Sequence, residues 1–175
     1  AEGGAALRYF AYGSNLDPDE LIASCPGATR LYPATLVGYR RDFTRYSPKR
    51  GGGVADIVPD ATARVLGGVY EIPDDDIARL DAKEGVATGA YERIEVELQT
   101  AHETVTAMTY RVVQPIDPVA PTAAYLDLIL RGIEAWALPS SEARSVVVSA
   151  RALGLGTAGQ LRTDKPGADD ADGPD

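Results

Sequence analysis

Alternating runs of hydrophobic and polar residues predict strands in the first two-thirds of the chain, with helices concentrated towards the end. The run from Leu7 to Tyr12 is apolar and aromatic and predicts a buried strand. Gly13-Ser14-Asn15 interrupts it and predicts a tight turn with exposed N–H groups, which suit an anion. Asp17 and Pro18, with Glu20 three residues after the Asp, predict a helix that begins with a capping box.

Five further runs are rich in β-branched or aromatic residues and predict strands. Polar residues from Pro59 to Arg64 separate the second and third runs, which are predicted to be adjacent antiparallel strands, and the last two form a hairpin. The runs are Arg30 to Tyr46 with a bend near Pro33, Val54 to Val58, Val65 to Ile72, Tyr91 to Leu98, and Thr104 to Val113.

Three later segments carry helix signals. One runs from about Asp74 to Glu84, and a second is capped by Thr122 and extends to about Trp136. The third begins at Ser140 or Ser141 and extends towards Leu153, although its three consecutive valines are equally compatible with a strand.

The helix from Asp74 to Glu84 directs a carboxylate towards the core. Ile77, Leu80 and Glu84 lie on one helical face, whereas Lys83 is predicted to point elsewhere. Burial and the negative end of the helix dipole would both raise the pKa of Glu84, as suits a general acid and base. A solvent-exposed glutamate in the last helical turn is the alternative interpretation.

Composition indicates one domain. With 175 residues, 45% of them hydrophobic, we predict a flexible N-terminus over 1–6, a folded domain over 7–155 and an acidic, disordered tail over 156–175. From Thr163 onwards, five Asp and one Lys contribute −4 of the net charge of −9, which leaves −5 for the body and argues against nucleic-acid binding. The single cysteine, Cys25, and the lack of a long apolar run indicate a cytoplasmic protein without membrane association.

The sequence gives little support for metal, nucleotide or serine-hydrolase chemistry. The single histidine, His102, lies in a predicted hairpin turn, and no cluster of His and Cys suits a metal, so no cofactor is predicted. Gly154 to Gly159 matches the dinucleotide fingerprint, but the polar tail that follows leaves no room for the rest of that fold. Gly51-Gly52-Gly53 lacks a following Lys-Ser or Lys-Thr and predicts a turn.

Two separated segments resemble the gamma-glutamylcyclotransferase family. They are Tyr9-Phe10-Ala11-Tyr12-Gly13-Ser14-Asn15-Leu16, and Leu80 to Val86 followed by Gly89-Ala90-Tyr91. Gly52 to Ile57, Leu66 to Tyr70 and Pro121 to Leu138 are similar to the segments between and after them.

The resemblance implies an α+β fold in which several helices flank a small, mixed, barrel-like sheet. It also implies that a γ-glutamyl amide is cleaved by its own α-amine, which releases 5-oxoproline and a free amine or amino acid. Glu84 falls on the family's catalytic glutamate. The residues implied to bind the substrate are Tyr9, Tyr12, Gly13, Ser14, Asn15, Leu16, Tyr91 and Tyr125. The turn would bind either the α-carboxylate or the developing oxyanion.

Several alternatives stay open at this point. A serine hydrolase with Ser14 as nucleophile lacks the Gly-x-Ser-x-Gly elbow and a suitable histidine. A non-catalytic member of the same fold that binds a metabolite or a partner is the main rival hypothesis. The amine released is undetermined, with amino acids, simple amines and an intermediate of a natural product such as an aminoglycoside as candidates, and a homodimer is left open.

Overall fold

The structure is a computed structural model that describes residues 5–155. The strands are β1 (Ala6–Ala11), β2 (Thr29–Ser47), β3 (Gly52–Pro73), β4 (Tyr91–Gln99) and β5 (Thr104–Val112), and the helices are α1 (Pro18–Ser24), α2 (Asp74–Lys83), α3 (Ala123–Ala135) and α4 (Ser140–Ala152). A 3-10 turn, Ser14–Leu16, joins β1 to α1. The predicted α+β fold with a barrel-like sheet is confirmed.

The five strands close into a mixed barrel in the order β1-β3-β2-β4-β5. Neighbouring strands are antiparallel, except that β1 and β5 pair in parallel through Tyr9 and Met108. The pairing of β2 with β4 rests on the Thr35–Gln99 pair. Strands β2 and β3 and strands β4 and β5 are paired over long stretches, whereas the β2–β4 and β1–β5 contacts are two narrow seams.

The prediction of two short strands between Val54 and Ile72 is wrong. Strand β3 is continuous from Gly52 to Pro73, and the polar residues from Pro59 to Arg64 lie within it. It pairs with β2 on both sides of this segment, and a register shift sets Val37 and Tyr39 of β2 opposite Arg64 and Pro59, so residues 60–63 bulge out of the pairing with β2. Long-range pairing with β2 on both sides of the polar residues therefore keeps them within one strand, and their local turn signal appears as a bulge.

Helix α1 begins as predicted but has no capping box. The carboxylate of Asp17 accepts a hydrogen bond from the Asp19 N–H at 3.2 Å, and Pro18 occupies the first helical position. Instead of reaching back to the cap, the Glu20 carboxylate accepts from the Arg50 guanidinium at 2.7 Å. Tertiary ion pairing has therefore replaced the local bond.

The first two helices are joined around the chain's single thiol. Cys25 caps the C-terminal end of α1, is fully buried, and has its Sγ 3.7 Å from the Asp76 carbonyl of α2. The Asp76 carboxylate accepts a further hydrogen bond from the Gly27 N–H at 2.8 Å. The buried thiol is therefore part of the packing between α1 and α2.

Helices α3 and α4 both form over the predicted segments. The Thr122 hydroxyl accepts from the Tyr125 N–H at 3.1 Å and caps α3. Within α4, Val146 is buried whereas Val148 is 66% exposed, so the three consecutive valines are spread around a helix.

Some sequence predictions fall at the chain ends. Strand β1 begins at Ala6, inside the segment assigned to the flexible N-terminus, and the Ala5 carbonyl accepts from the Asp74 N–H at 3.0 Å. Residues 1–4 and the predicted acidic tail over 156–175 lie outside the described residues, as does most of the Gly154 to Gly159 motif. Across residues 5–155, no helix is long and apolar enough to cross a membrane.

Helix α3 packs tightly against the 3-10 turn at Gly132. A Cβ atom at this position would lie 2.5 Å from the backbone carbonyl carbon of Leu16 and 2.7 Å from the Asp17 nitrogen. Distances this short require the backbone to move, because neither atom belongs to a flexible side chain. The absence of a side chain at Gly132 therefore sets how closely the turn approaches the helix.

We expect Gly132→Ala to destabilise the fold by about 1–3 kcal/mol, the usual cost of overpacking. Steric overlap should outweigh the gain of about 1 kcal/mol in helix propensity, and urea unfolding measures the difference. Ala124→Gly, at an exposed position of the same helix, gives the propensity effect alone. A Gly132→Ala variant as stable as the natural protein would contradict the packing argument.

Candidate active site

A cavity opens where the 3-10 turn, α2 and the barrel meet. Its empty volume, including the mouth, is about 300 Å³. One carboxylate and five phenols dominate its lining, an arrangement that suits proton transfer beside a small polar ligand. The lining residues are Tyr9, Tyr12, Gly13, Ser14, Asn15, Ala55, Glu84, Tyr91, Tyr110 and Tyr125.

Glu84 supplies the carboxylate from the C-terminal end of α2. Its N–H donates to the Leu80 carbonyl at 2.9 Å, and Gly85 follows with a φ of 64°, which ends the helix. The residue is only 7% exposed, and Leu80 and Ile77 of the same face are buried in the core. The helical pattern therefore predicted correctly that Glu84 points inward.

Asn15 connects this carboxylate to the turn. Its side-chain Nδ2 donates to Glu84 Oε1 at 2.9 Å and to the Tyr9 hydroxyl at 3.0 Å. On the other side of the amide, Lys83 Nζ donates to Asn15 Oδ1 at 2.6 Å. The prediction that Lys83 points elsewhere is wrong, because its long side chain folds back along the end of α2 and reaches the turn.

Three side-chain donors bind the backbone carbonyls of the turn and its flanks. Arg41 Nε donates to the Tyr12 carbonyl at 2.8 Å, and the Tyr70 hydroxyl donates to the Asn15 carbonyl at 3.0 Å. The indole N–H of Trp136 donates to the Leu16 carbonyl at 2.8 Å. The turn is therefore held from the side opposite the cavity.

Arg41 is itself fixed by a buried ion pair. Its Nη1 lies 2.9 Å from Glu142 Oε1, and its Nη2 donates to the Leu66 carbonyl at 3.0 Å. The two side chains are 6% and 11% exposed, so removal of either partner would leave an uncompensated buried charge. Helix α4, which carries Glu142, thereby contributes to the position of a turn that it does not line.

Phenol hydroxyl groups tie the remaining walls of the cavity together. Tyr125 accepts a hydrogen bond from the Ala55 N–H at 3.0 Å, and Tyr91 donates to the Ala55 carbonyl at 2.7 Å. The Tyr12 hydroxyl donates to the Tyr110 carbonyl at 2.5 Å. Strands β3, β4 and β5 and helix α3 are thus connected around one central space.

Burial and negative charge keep the phenols protonated. Burial is the main cause of a raised pKa at Tyr9, Tyr12 and Tyr110, and the Glu84 carboxylate raises all three further. The Asp56 carboxylate adds to the effect at Tyr12, and Asp81 adds to it at Tyr110. These hydroxyls therefore stay available as hydrogen-bond donors at neutral pH.

The structure brings together most residues that the sequence singled out. All of them line the cavity except Leu16, which is fully buried behind the turn. Sequence reasoning missed Ala55 and Tyr110, because each belongs to a strand that reaches the site only through barrel closure. The one signal that could have found Tyr110 was its position in the buried, C-terminal part of the strand that forms β5. His102 is exposed in the β4–β5 turn, away from the lining.

A metal centre finds no support in the described part of the chain. Across residues 5–155, no group of three or more His, Cys, Asp or Glu side chains is arranged to hold a metal ion.

Comparison with known proteins gives a consistent match over most of the chain. Residues 64–144 match the AIG2-like family. The chain is 30% identical over 144 residues to gamma-glutamylcyclotransferase from Bos taurus, a match that covers 79% of this chain and 76% of the bovine protein. It is also 30% identical over 141 residues to gamma-glutamylcyclotransferase from Mus musculus, with 78% and 74% covered.

A solved structure supports the same assignment. The structure of a gamma-glutamyl cyclotransferase superimposes with a TM-score of 0.78 at 27% identity, and the match covers 82% of this chain and 87% of that one. The bovine sequence is 30% identical over most of both chains, and the barrel fold agrees with that of the solved gamma-glutamyl cyclotransferase. The chain therefore belongs to the gamma-glutamylcyclotransferase family of enzymes.

Proposed function

We propose that this enzyme cleaves a γ-glutamyl amide at the cavity described above, with Glu84 as its catalytic acid and base. The observation that carries the proposal is the position of Glu84, a buried carboxylate at the cavity wall with one oxygen bonded to Asn15. The α-amine of the substrate attacks its own γ-carbonyl carbon. The ring of 5-oxoproline closes as the amide C–N bond breaks and the free amine departs.

Because the α-amine of the substrate is itself the nucleophile, the reaction requires a proton carrier and no nucleophile from the protein. The α-ammonium begins with three protons and its nitrogen keeps one in the lactam, whereas the leaving nitrogen begins with one and departs as an ammonium. Two protons therefore move from one nitrogen to the other, with no net gain or loss. Glu84 accepts each proton from the α-nitrogen and returns it to the leaving nitrogen, which is general base followed by general acid catalysis.

The 3-10 turn is proposed to bind the anionic part of the glutamyl group. In a trans peptide the C=O and N–H groups point in opposite directions, so the Gly13 N–H points away from Arg41, which binds the Tyr12 carbonyl. The N–H groups of Ser14 and Asn15 precede the first internal bond of the turn, from Leu16 to Gly13. They are suited to a carboxylate or to the developing oxyanion.

Substrate orientation would supply much of the rate enhancement. The cavity is walled by the rings of Tyr9, Tyr12, Tyr91, Tyr110 and Tyr125, which are all buried. Such a narrow enclosure would fold the glutamyl group so that amine and carbonyl touch, and correct orientation alone can contribute several kcal/mol.

For the leaving group we propose a cationic amine, such as the aminoglycoside part of a γ-glutamylated intermediate of antibiotic biosynthesis. The net charge of −9, of which −5 lies before Thr163, would attract a polycation to the enzyme. We further propose that the enzyme acts in the cytoplasm, since a single cysteine suits a reducing compartment.

Glu84→Gln tests the catalytic role directly. We expect 5-oxoproline release to fall by about 10²- to 10⁴-fold with little change in KM, because the amide cannot carry a proton. The assay offers γ-glutamyl amino acids, γ-glutamyl alkylamines and a γ-glutamyl aminoglycoside in parallel. Glu95→Gln, at an exposed position of β4, is the matched control and should keep the native rate.

Two results would overturn the proposal. Native turnover by Glu84→Gln would remove the carboxylate from the mechanism, and no 5-oxoproline from any substrate would favour a non-catalytic protein. Ser14→Ala should retain turnover. Complete loss in that variant, together with an acyl-enzyme trapped on the natural protein in mass spectrometry, would instead identify Ser14 as a nucleophile.

The buried phenols predict a characteristic alkaline titration. Because the native pKa values of Tyr9, Tyr12 and Tyr110 are raised, these groups contribute stability that is present below the unfolded pKa of about 10 and is lost as the pH rises above it. Absorbance at the phenolate band should rise only partly before far-ultraviolet circular dichroism reports unfolding. The urea-unfolded protein supplies the full amplitude. Complete phenol ionisation near pH 10 with the fold intact would contradict the structure.

A further inference from the structure

Lys83 makes a contact that the proposed reaction does not use. Its side chain is 12% exposed, and its ammonium lies 2.6 Å from Asn15 Oδ1 and 3.4 Å from both the backbone carbonyl and the carboxylate of Glu20. A lysine so enclosed at the end of α2 is held by three acceptors on the turn and on α1. Its position is therefore defined by the fold.

The chemistry of the amide makes this contact directional. An ammonium group only donates hydrogen bonds, so Asn15 must present its oxygen to Lys83 and its NH₂ group to the opposite side. On that side lie Glu84 Oε1 at 2.9 Å and the Tyr9 hydroxyl at 3.0 Å. A flipped amide would set its NH₂ group against the ammonium and its oxygen against the carboxylate, two repulsive contacts in a buried site.

Glu20 and Arg50 keep the lysine in place. The Glu20 carboxylate accepts from Arg50 Nη2 at 2.7 Å and also pairs with Lys83. Burial raises the pKa of Glu20, but the hydrogen bond from Arg50 and the charge of Lys83 lower it by more, so Glu20 remains an anion. The Arg50 guanidinium also lies 5.5 Å from the centre of the Tyr125 ring. The cluster thus connects α1, the β2–β3 turn and the cavity wall to the end of α2.

We propose that Lys83 is a positioning residue that fixes the orientation of the Asn15 amide and, through it, the carboxylate of Glu84. The proposal rests on the proposed function of Glu84. Lys83 is not among the residues that line the cavity. Its effect passes through one amide group, which makes the effect separable by mutation.

The kcat and KM values of Lys83 variants provide the first test of this proposal. Lys83→Met removes the charge but keeps most of the chain length, and it should lower kcat by roughly 10- to 100-fold with KM little changed, as misplacement of a catalytic group does. Lys83→Arg keeps a donor-only cation and should recover much of the loss. Lys49→Met, at an exposed position of the β2–β3 turn, should keep native kinetics.

A double-mutant cycle asks whether the effect passes through Asn15. When Lys83→Met is added to Asn15→Ala, it should change kcat by less than about twofold, because the group that it positions is already gone. Equal losses in the presence and absence of Asn15 would overturn the proposal. The same conclusion would follow if Lys83→Met kept the native kcat.

Nuclear magnetic resonance of the Asn15 side-chain amide separates this proposal from the proposed function. In the natural protein, its two Nδ2 protons should exchange slowly, since each is bonded to a buried acceptor. Lys83→Met should accelerate exchange at least tenfold, and Lys49→Met should not. Unchanged exchange in Lys83→Met would overturn the proposal whether or not the enzyme releases 5-oxoproline.

Discussion

The site depends on hydrogen bonds made to the back of one short turn. The carbonyls of Tyr12, Asn15 and Leu16 accept from a guanidinium, a phenol and an indole, each carried by a different element. These donors are buried, so each bond acts in a medium of low dielectric and leaves a costly unpaired group if it is lost. The barrel and helices therefore hold the turn in place, in addition to the turn propensity of its own residues.

Buried hydrogen bonds also explain how a carboxylate is tolerated at the negative end of a helix. Glu84 is placed unfavourably with respect to the α2 dipole and is buried, yet the Asn15 amide donates to it and Lys83 brings a positive charge to the same helix end. Around it, phenols supply polar atoms without adding further charge at neutral pH. These contacts offset the unfavourable dipole and burial, so the Glu84 carboxylate is held in place at the end of α2.

Local patterns in the sequence were sufficient to predict most helices and strands, but not how these elements pack and pair. The helical spacing of Ile77, Leu80 and Glu84 predicted the inward carboxylate, and Gly13 predicted the turn. The continuous strand β3 was missed because its pairing with β2 is long-range, and the same limitation hid Tyr110. Lys83 was misplaced since a helical wheel gives the direction of Cβ, whereas four further bonds allow the ammonium to turn back.

The rate at which the buried Cys25 thiol is modified would report local opening of the structure around it. Its Sγ lies between α1 and α2, next to the Asp76 carbonyl, and burial raises the pKa of the thiol. An alkylating reagent can reach it only when the two helices separate, and α2 is the helix whose end carries Glu84. Since it is the chain's single cysteine, one modification rate would report how often α1 and α2 separate.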